Sequence, residues 1–140
     1  MMRTRDISRE RYTYFRDKAV EFYETMKDAH EKGNYDACVA NAVHCAICSV
    51  DAFTVLRLGK KTAAQNHAEA VNLLKEARSS DESEKSRVCD KVLILIEMKT
   101  PAEYEDRKMS KAESEKAKNL CGKIHSFLMN EIKRAEVLSP

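Results

Sequence analysis

The side chains best suited to chemistry are concentrated in one apolar segment. Asn41, His44, Cys48 and Asp51 follow one another at steps of three, four and three residues. On a helix, at about 100° per residue, this spacing gathers them into a sector of about 80°. Around them, from Tyr35 to Leu58, almost every residue is apolar or small. Burying an amide, an imidazole or a carboxylate in such surroundings costs about 1–3 kcal/mol each unless a hydrogen-bond partner is found. Three readings follow: a satisfied buried network that fixes helix register, a pocket or dimer seam whose polar floor contacts a ligand, or a stripe that faces solvent.

Cys45-x-x-Cys48 invites a metal or redox reading. A zinc site needs four converging ligands, whereas His44, Cys45 and Cys48 point in different directions on a rigid helix, and no second pair completes the set. A thioredoxin-like dithiol wants a strand–helix context that the sequence lacks. Cysteines packing a tight helix crossing are the simpler reading. There is no Gly-rich phosphate loop, no H-E-x-x-H, and no Ser–His–Asp set with supporting turns. No metal and no cofactor is therefore expected.

The whole chain bounds these readings. It has 140 residues, enough for one domain with a real core. With 43% hydrophobic and 34% charged residues, its balance is that of a soluble globular protein. Three Gly, two Pro and no Trp favour long helices over tight β-turns. The 25 basic and 23 acidic residues leave a formal charge of +2, too balanced for nucleic-acid binding by bulk charge alone. The N-terminus is locally basic but has no signal-like apolar run, and no membrane span is expected elsewhere. Five cysteines without a secretory context point to reduced thiols and a cytoplasmic location.

Five helices should position the polar stripe. The first, about Arg9 to Glu31, carries an inward set of Tyr12, Phe15, Ala19, Phe22, Met26 and Ala29, with Ser8 as its cap. Gly33 ends it, and Asn34 caps the second helix, Tyr35 to Leu58, which Gly59 closes. The third runs from about Ala63 to Arg78, with Val71, Leu74 and Ala77 inward. Ser79 and Glu82 suggest a capping box before the fourth, about Glu84 to Lys99, which buries Val88, Val92, Leu95 and Ile96 until Pro101 forces its end. Thr100 to Met109 reads as a charged connector holding Tyr104. A second capping box, Ser110 with Glu113, opens the last helix, which runs to about Ala135 and buries Ala117, Leu120, Cys121, Ile124, Phe127, Leu128 and Ile132. Val137 to Pro140 should fray. The fold class is all-α, an up-and-down antiparallel bundle of four to five helices, with residues 1–140 as a single domain and the core at about 9–136.

The run Asn34-Tyr35-Asp36-Ala37 through Leu58-Gly59-Lys60, His67 ahead of Val71 and Leu74, and Ala102-Glu103-Tyr104-Glu105-Asp106 before the Ser110 box together resemble the HEPN domain family over about residues 10 to 134. The resemblance implies a helical bundle that usually forms a homodimer. Many members are metal-independent RNases, often toxins paired with a small nucleotidyltransferase antitoxin, and others bind nucleotides or RNA without catalysis. Active members carry Arg-x(4–6)-His near the end of the fourth helix. The Arg stabilises phosphate charge and the His moves a proton.

Here that stretch reads Glu97-Met98-Lys99-Thr100-Pro101-Ala102-Glu103-Tyr104-Glu105-Asp106-Arg107, without a His. Lys99 and Tyr104 have the motif's spacing. Lys is the weaker bidentate clamp, and an unperturbed Tyr, with a pKa of about 10, is a poor base at neutral pH. Tyr104 could equally be an aromatic lid packed on the bundle. The first expectation is a homodimer that binds a nucleotide, RNA or a partner protein, with the usual RNase chemistry lost or weakened. An active RNase toxin using Lys99, Tyr104, Arg107 and His67 is the alternative; a structural module for a nucleotidyltransferase is the third. Candidate catalytic residues are Lys99 and Tyr104, and candidate ligand-binding residues are Asn41, His44, Asp51, His67 and Arg107.

Overall fold

The computed structural model describes residues 3–63 and 68–138. Six helices are present among them: α1 (Tyr12–Glu31), α2 (Tyr35–Leu58), α3 (Ala68–Glu76), α4 (Glu82–Glu97), the short α5 (Lys99–Tyr104) and α6 (Lys111–Leu138). The architecture is the expected all-α bundle. The α2 helix has the expected bounds and touches each of the other five, so it is the axis around which they pack. Its composition demands this, because no face is polar enough to be left in water. Phe53, Val39, Val43 and Val50 of α2 meet Met26 of α1, Leu74 of α3, Val88 and Leu95 of α4, and Ile124 and Leu128 of α6 in one continuous core. Each such side chain contributes about 1.5–3 kcal/mol by burial.

By length and composition alone α2 qualifies as a membrane span, which corrects the expectation that no segment would. Its span-like window is 72% buried inside the bundle. It is a core helix that passes the same test.

Turn chemistry decides the joints. Gly33, at φ 78°, and Gly59, at φ 67°, both adopt the left-handed conformation that ends a helix, as expected. Behind Gly33 the Asn34 N–H donates to Ala29 O at 2.8 Å, which turns the chain straight into α2. Asn34 occupies the cap position, but its side chain makes no capping bond. Ser8 makes none either: a 3-10 turn over Arg9–Arg11 precedes α1, and the Ser8 carbonyl accepts the Arg11 N–H at 3.0 Å. The Ser110–Glu113 box is reciprocal, with Glu113 N–H on Ser110 Oγ at 3.1 Å and Ser110 N–H on Glu113 Oε1 at 2.9 Å.

Other boundaries differ from expectation. The cap of α4 is Asp81, whose Oδ1 accepts the Glu84 N–H at 3.0 Å. Glu82 instead turns back to accept from the Ser79 N–H and hydroxyl, at 2.9 and 2.7 Å. Pro101 ends nothing. It is the third residue of α5, in the first turn, where an absent N–H breaks no helical bond. The α6 helix continues through Val137 and Leu138, which were expected to fray. A small antiparallel ribbon was not foreseen: β1 (Thr4–Asp6) pairs with β2 (Lys60–Thr62), with Arg5 opposite Lys61. It fastens the basic N-terminus to the segment that leaves α2.

A buried Lys85 closes the α3–α4 corner. Its Nζ donates to the carbonyls of Lys75 and Ala77, at 3.0 and 2.5 Å, and lies 2.9 Å from Glu82 Oε1. The ammonium thus caps the C-terminal end of α3, whose last carbonyls otherwise have no helical partner. Lys85→Met keeps the volume but leaves those carbonyls unsatisfied. Urea unfolding should show a loss of roughly 1–3 kcal/mol, and unchanged stability would refute the cap.

Candidate functional site

The polar stripe of α2 emerges where neighbouring helices cover it least. Among its residues Asn41, His44 and Cys48 are half-buried and Asp51 is buried. They do not form one network. Asn41 Nδ2 donates to Ala37 O of its own helix at 2.8 Å. The His44 ring packs on Phe22 of α1, with centroids 5.2 Å apart, and its Nε2 lies 3.7 Å from Glu103 Oε1 of α5. This brings α5 to the edge of the stripe.

Asp51 is the unusual member. It is 5% exposed, its Oδ2 lies 3.7 Å from Lys61 Nζ, and its Oδ1 has no hydrogen-bond partner. Burial pushes its carboxyl up to about 6, against the pull of Lys61 and Lys18. Burial, followed by the charge of Asp51, pushes the Cys48 thiol up to about 11, so Cys48 is a neutral thiol at physiological pH. Lys18 and Lys61 stand over the Phe15 ring, 5.8 and 5.5 Å from its centroid. The half-covered strip of α2 from Asn41 to Cys48, with Phe22 packed on His44 and Phe15 beneath the two lysines, is the α2 groove. Lys18 and Lys61 lie at one end, and α5 lies at the other.

With this geometry in place the comparison with known families is decisive: the HEPN domain profile matches residues 12–132. The chain belongs to the HEPN family. No curated protein matches it. Family membership implies work on nucleotides or RNA.

The two candidate catalytic residues, Lys99 and Tyr104, are both on α5. Lys99 opens the helix, is half-buried, and makes no ion pair with any described residue. Tyr104 closes it and is 73% exposed, so it is not a lid packed on the bundle. Its side-chain hydrogen bond with Glu103 raises the phenol further, which removes it as a base at neutral pH. Five residues apart on a helix, Lys99 and Tyr104 diverge by about 140°, so one protomer does not aim both at one phosphate. Arg107 is already engaged: its guanidinium forks onto Glu113 at 3.1 and 3.0 Å, with Glu105 at 3.8 Å. His67 lies outside the described residues. The structure thus gathers His44 with the α5 edge, and Asp51 with Lys61, and leaves Arg107 apart.

Sequence reasoning passed over two imidazoles that hold the core. His125 Nδ1 lies 3.0 Å from Ser49 Oγ and stacks on Tyr23, with centroids 4.8 Å apart. The same cluster brings Cys45 and Cys121 together, and hydrogen bonding from Cys121 pulls the Cys45 thiol down. His30 bridges Ser114 Oγ and Glu115, each at 2.7 Å. This is a Ser–His–carboxylate line, but Ser114 is 0% exposed, so no substrate reaches its hydroxyl. Helical periodicity gave no sign of these pairs, because their partners are 76 and 84 residues apart in sequence.

A buried acid with a raised pKa costs stability once it ionises. The cost is absent below the unfolded value near 3.8 and complete above about 6. Asp51→Asn should therefore gain roughly 1–3 kcal/mol at pH 8 and nothing below pH about 4. Thermal unfolding across that range checks the sign, and a destabilised variant at pH 8 would contradict it.

Proposed function

We propose that this HEPN domain binds single-stranded RNA along the α2 groove without cleaving it by the usual HEPN mechanism. The observation that carries the reading is the state of α5. It presents an exposed tyrosine and an unpaired lysine where an Arg and a His would act. An exposed ring stacks on a base, an ammonium neutralises a phosphate, and neither abstracts a proton at pH 7. Along the groove floor, Asn41 and His44, both half-buried, offer polar contacts to base edges. Lys18 and Lys61 extend the positive track.

The divergence of Lys99 from Tyr104 fits a site completed by a second copy of the chain. Leu93 and Ile94 on the outer face of α4 are exposed just ahead of α5. They give a homodimer an apolar contact beside the groove.

Titration of a fluorescent single-stranded RNA, followed by anisotropy in excess chelator, tests the proposal. Tyr104→Ala should cost about 1–3 kcal/mol of binding, Lys99→Ala should weaken binding and flatten its salt dependence, and the RNA should stay intact. Absence of saturable binding would sink the reading. Cleavage that persists in chelator and disappears in His44→Ala would replace it with an RNase of divergent site.

A further inference from the structure

We infer a second ligand site at the other end of α2: a basic cleft that takes a small phosphorylated compound with an apolar body. The cleft has a volume of about 560 Å³ and lies between the last turn of α2, the α3–α4 corner and the C-terminal part of α6. That volume falls within the range of ordinary small-molecule sites. From His44 to Arg57 is thirteen residues along α2, about 20 Å, so the cleft shares no residue with the groove.

Charge defines the ligand. Arg57, Arg78, Lys133 and Arg134 line the cleft against a single carboxylate, Glu131, which gives four positive charges to one negative. Glu131 is buried and already committed: it accepts from the Ser80 N–H and the Ser80 hydroxyl, both at 2.5 Å. Arg134 leans on it at 3.6 Å. Among the described residues Arg57 makes one hydrogen bond, from Nε to Arg78 O at 2.9 Å, and its guanidinium lies 6.0 Å from the Phe53 ring centroid, which leaves its terminal N–H groups to donate elsewhere. Arg78 and Lys133 make no ion pair with any described residue.

The helix dipole accounts for Arg57, in the last turn of α2, but not for the two cations on α6. A dipole's field fades within the last turn, and the last turn of α6 contains no basic residue. Lys133 and Arg134 therefore lie too far back to serve it. Two guanidinium forks and an ammonium match the several oxygens of a phosphate better than the two of a carboxylate. The remaining wall is apolar, and Val137 and Leu138 on it are 84% and 82% exposed. A ligand with an apolar body attached to its phosphate covers them; a bare anion does not.

Isothermal titration of the full chain with 1-naphthyl phosphate, 1-naphthol and inorganic phosphate separates the two contributions. Naphthyl phosphate should bind saturably at one site per chain, inorganic phosphate at least about tenfold more weakly, and naphthol without measurable affinity at millimolar concentration. The pair Arg78→Glu with Lys133→Glu should abolish naphthyl phosphate binding and leave RNA anisotropy titrations unchanged. If circular dichroism shows that this pair does not fold, Arg78→Gln with Lys133→Gln replaces it, with an expected loss of at least about tenfold. Lack of saturable binding of naphthyl phosphate, or affinity unaltered in a folded variant, overturns the inference. A groove that fails to bind RNA leaves it standing, because the two tests read different residues.

Discussion

The requirement that α2 be kept from water arranges everything else in the bundle. A 24-residue helix without a polar face has to be enclosed, and enclosure mainly by α1 and α6, which also pack on each other, with α3, α4 and α5 covering the rest, is what the chain supplies. Enclosure is nearly complete except along the Asn41–His44–Cys48 line. There the neighbours are side chains at the edges of α1 and α5 rather than packed apolar layers. Core and groove are consequences of one constraint: Asn41, His44 and Cys48 sit where covering is incomplete, while Ser49, Asp51 and Thr54 of the same helix are buried.

Asp51 is the ionisable member of that buried set. It is buried although the helix could have placed an apolar residue there, and one of its oxygens is unpartnered. Two other buried charges are closely satisfied: Lys85 has two carbonyls and a carboxylate, and Glu131 has both donors of Ser80. Asp51 is held at a loss by comparison, as is Glu69, whose Oε2 is likewise buried without a hydrogen-bond partner. At the far end of the same helix the imbalance is reversed, with cations in excess of acids around the cleft of Arg57 and Lys133.

Much of this was legible in the sequence. The bounds of α2, the glycine stops at 33 and 59, and the Ser110 box rest on local backbone chemistry, which a linear reading captures. The α2 stripe followed from spacing alone. What escaped depends on contacts distant in sequence. The β1–β2 ribbon is two three-residue strands whose pairing replaces no hydrophobic signal. The cap of α4 moved to Asp81 because Ser79 and Glu82 bond to each other instead. Pro101 was read as a stop because the short α5 that accommodates it in its first turn was not foreseen. The same omission left Tyr104 with two readings until its exposure removed the lid.

The account turns on the groove beside α5 being where ligand meets protein, and the imidazoles of the core provide internal references. Proton NMR of the histidine ring resonances during titration with single-stranded RNA tests this directly. His44 should shift progressively and saturably, while His30 and His125, locked on Ser114 and Ser49 inside the bundle, stay in place. A titration that moves His125 or His30 and leaves His44 unchanged would contradict the account.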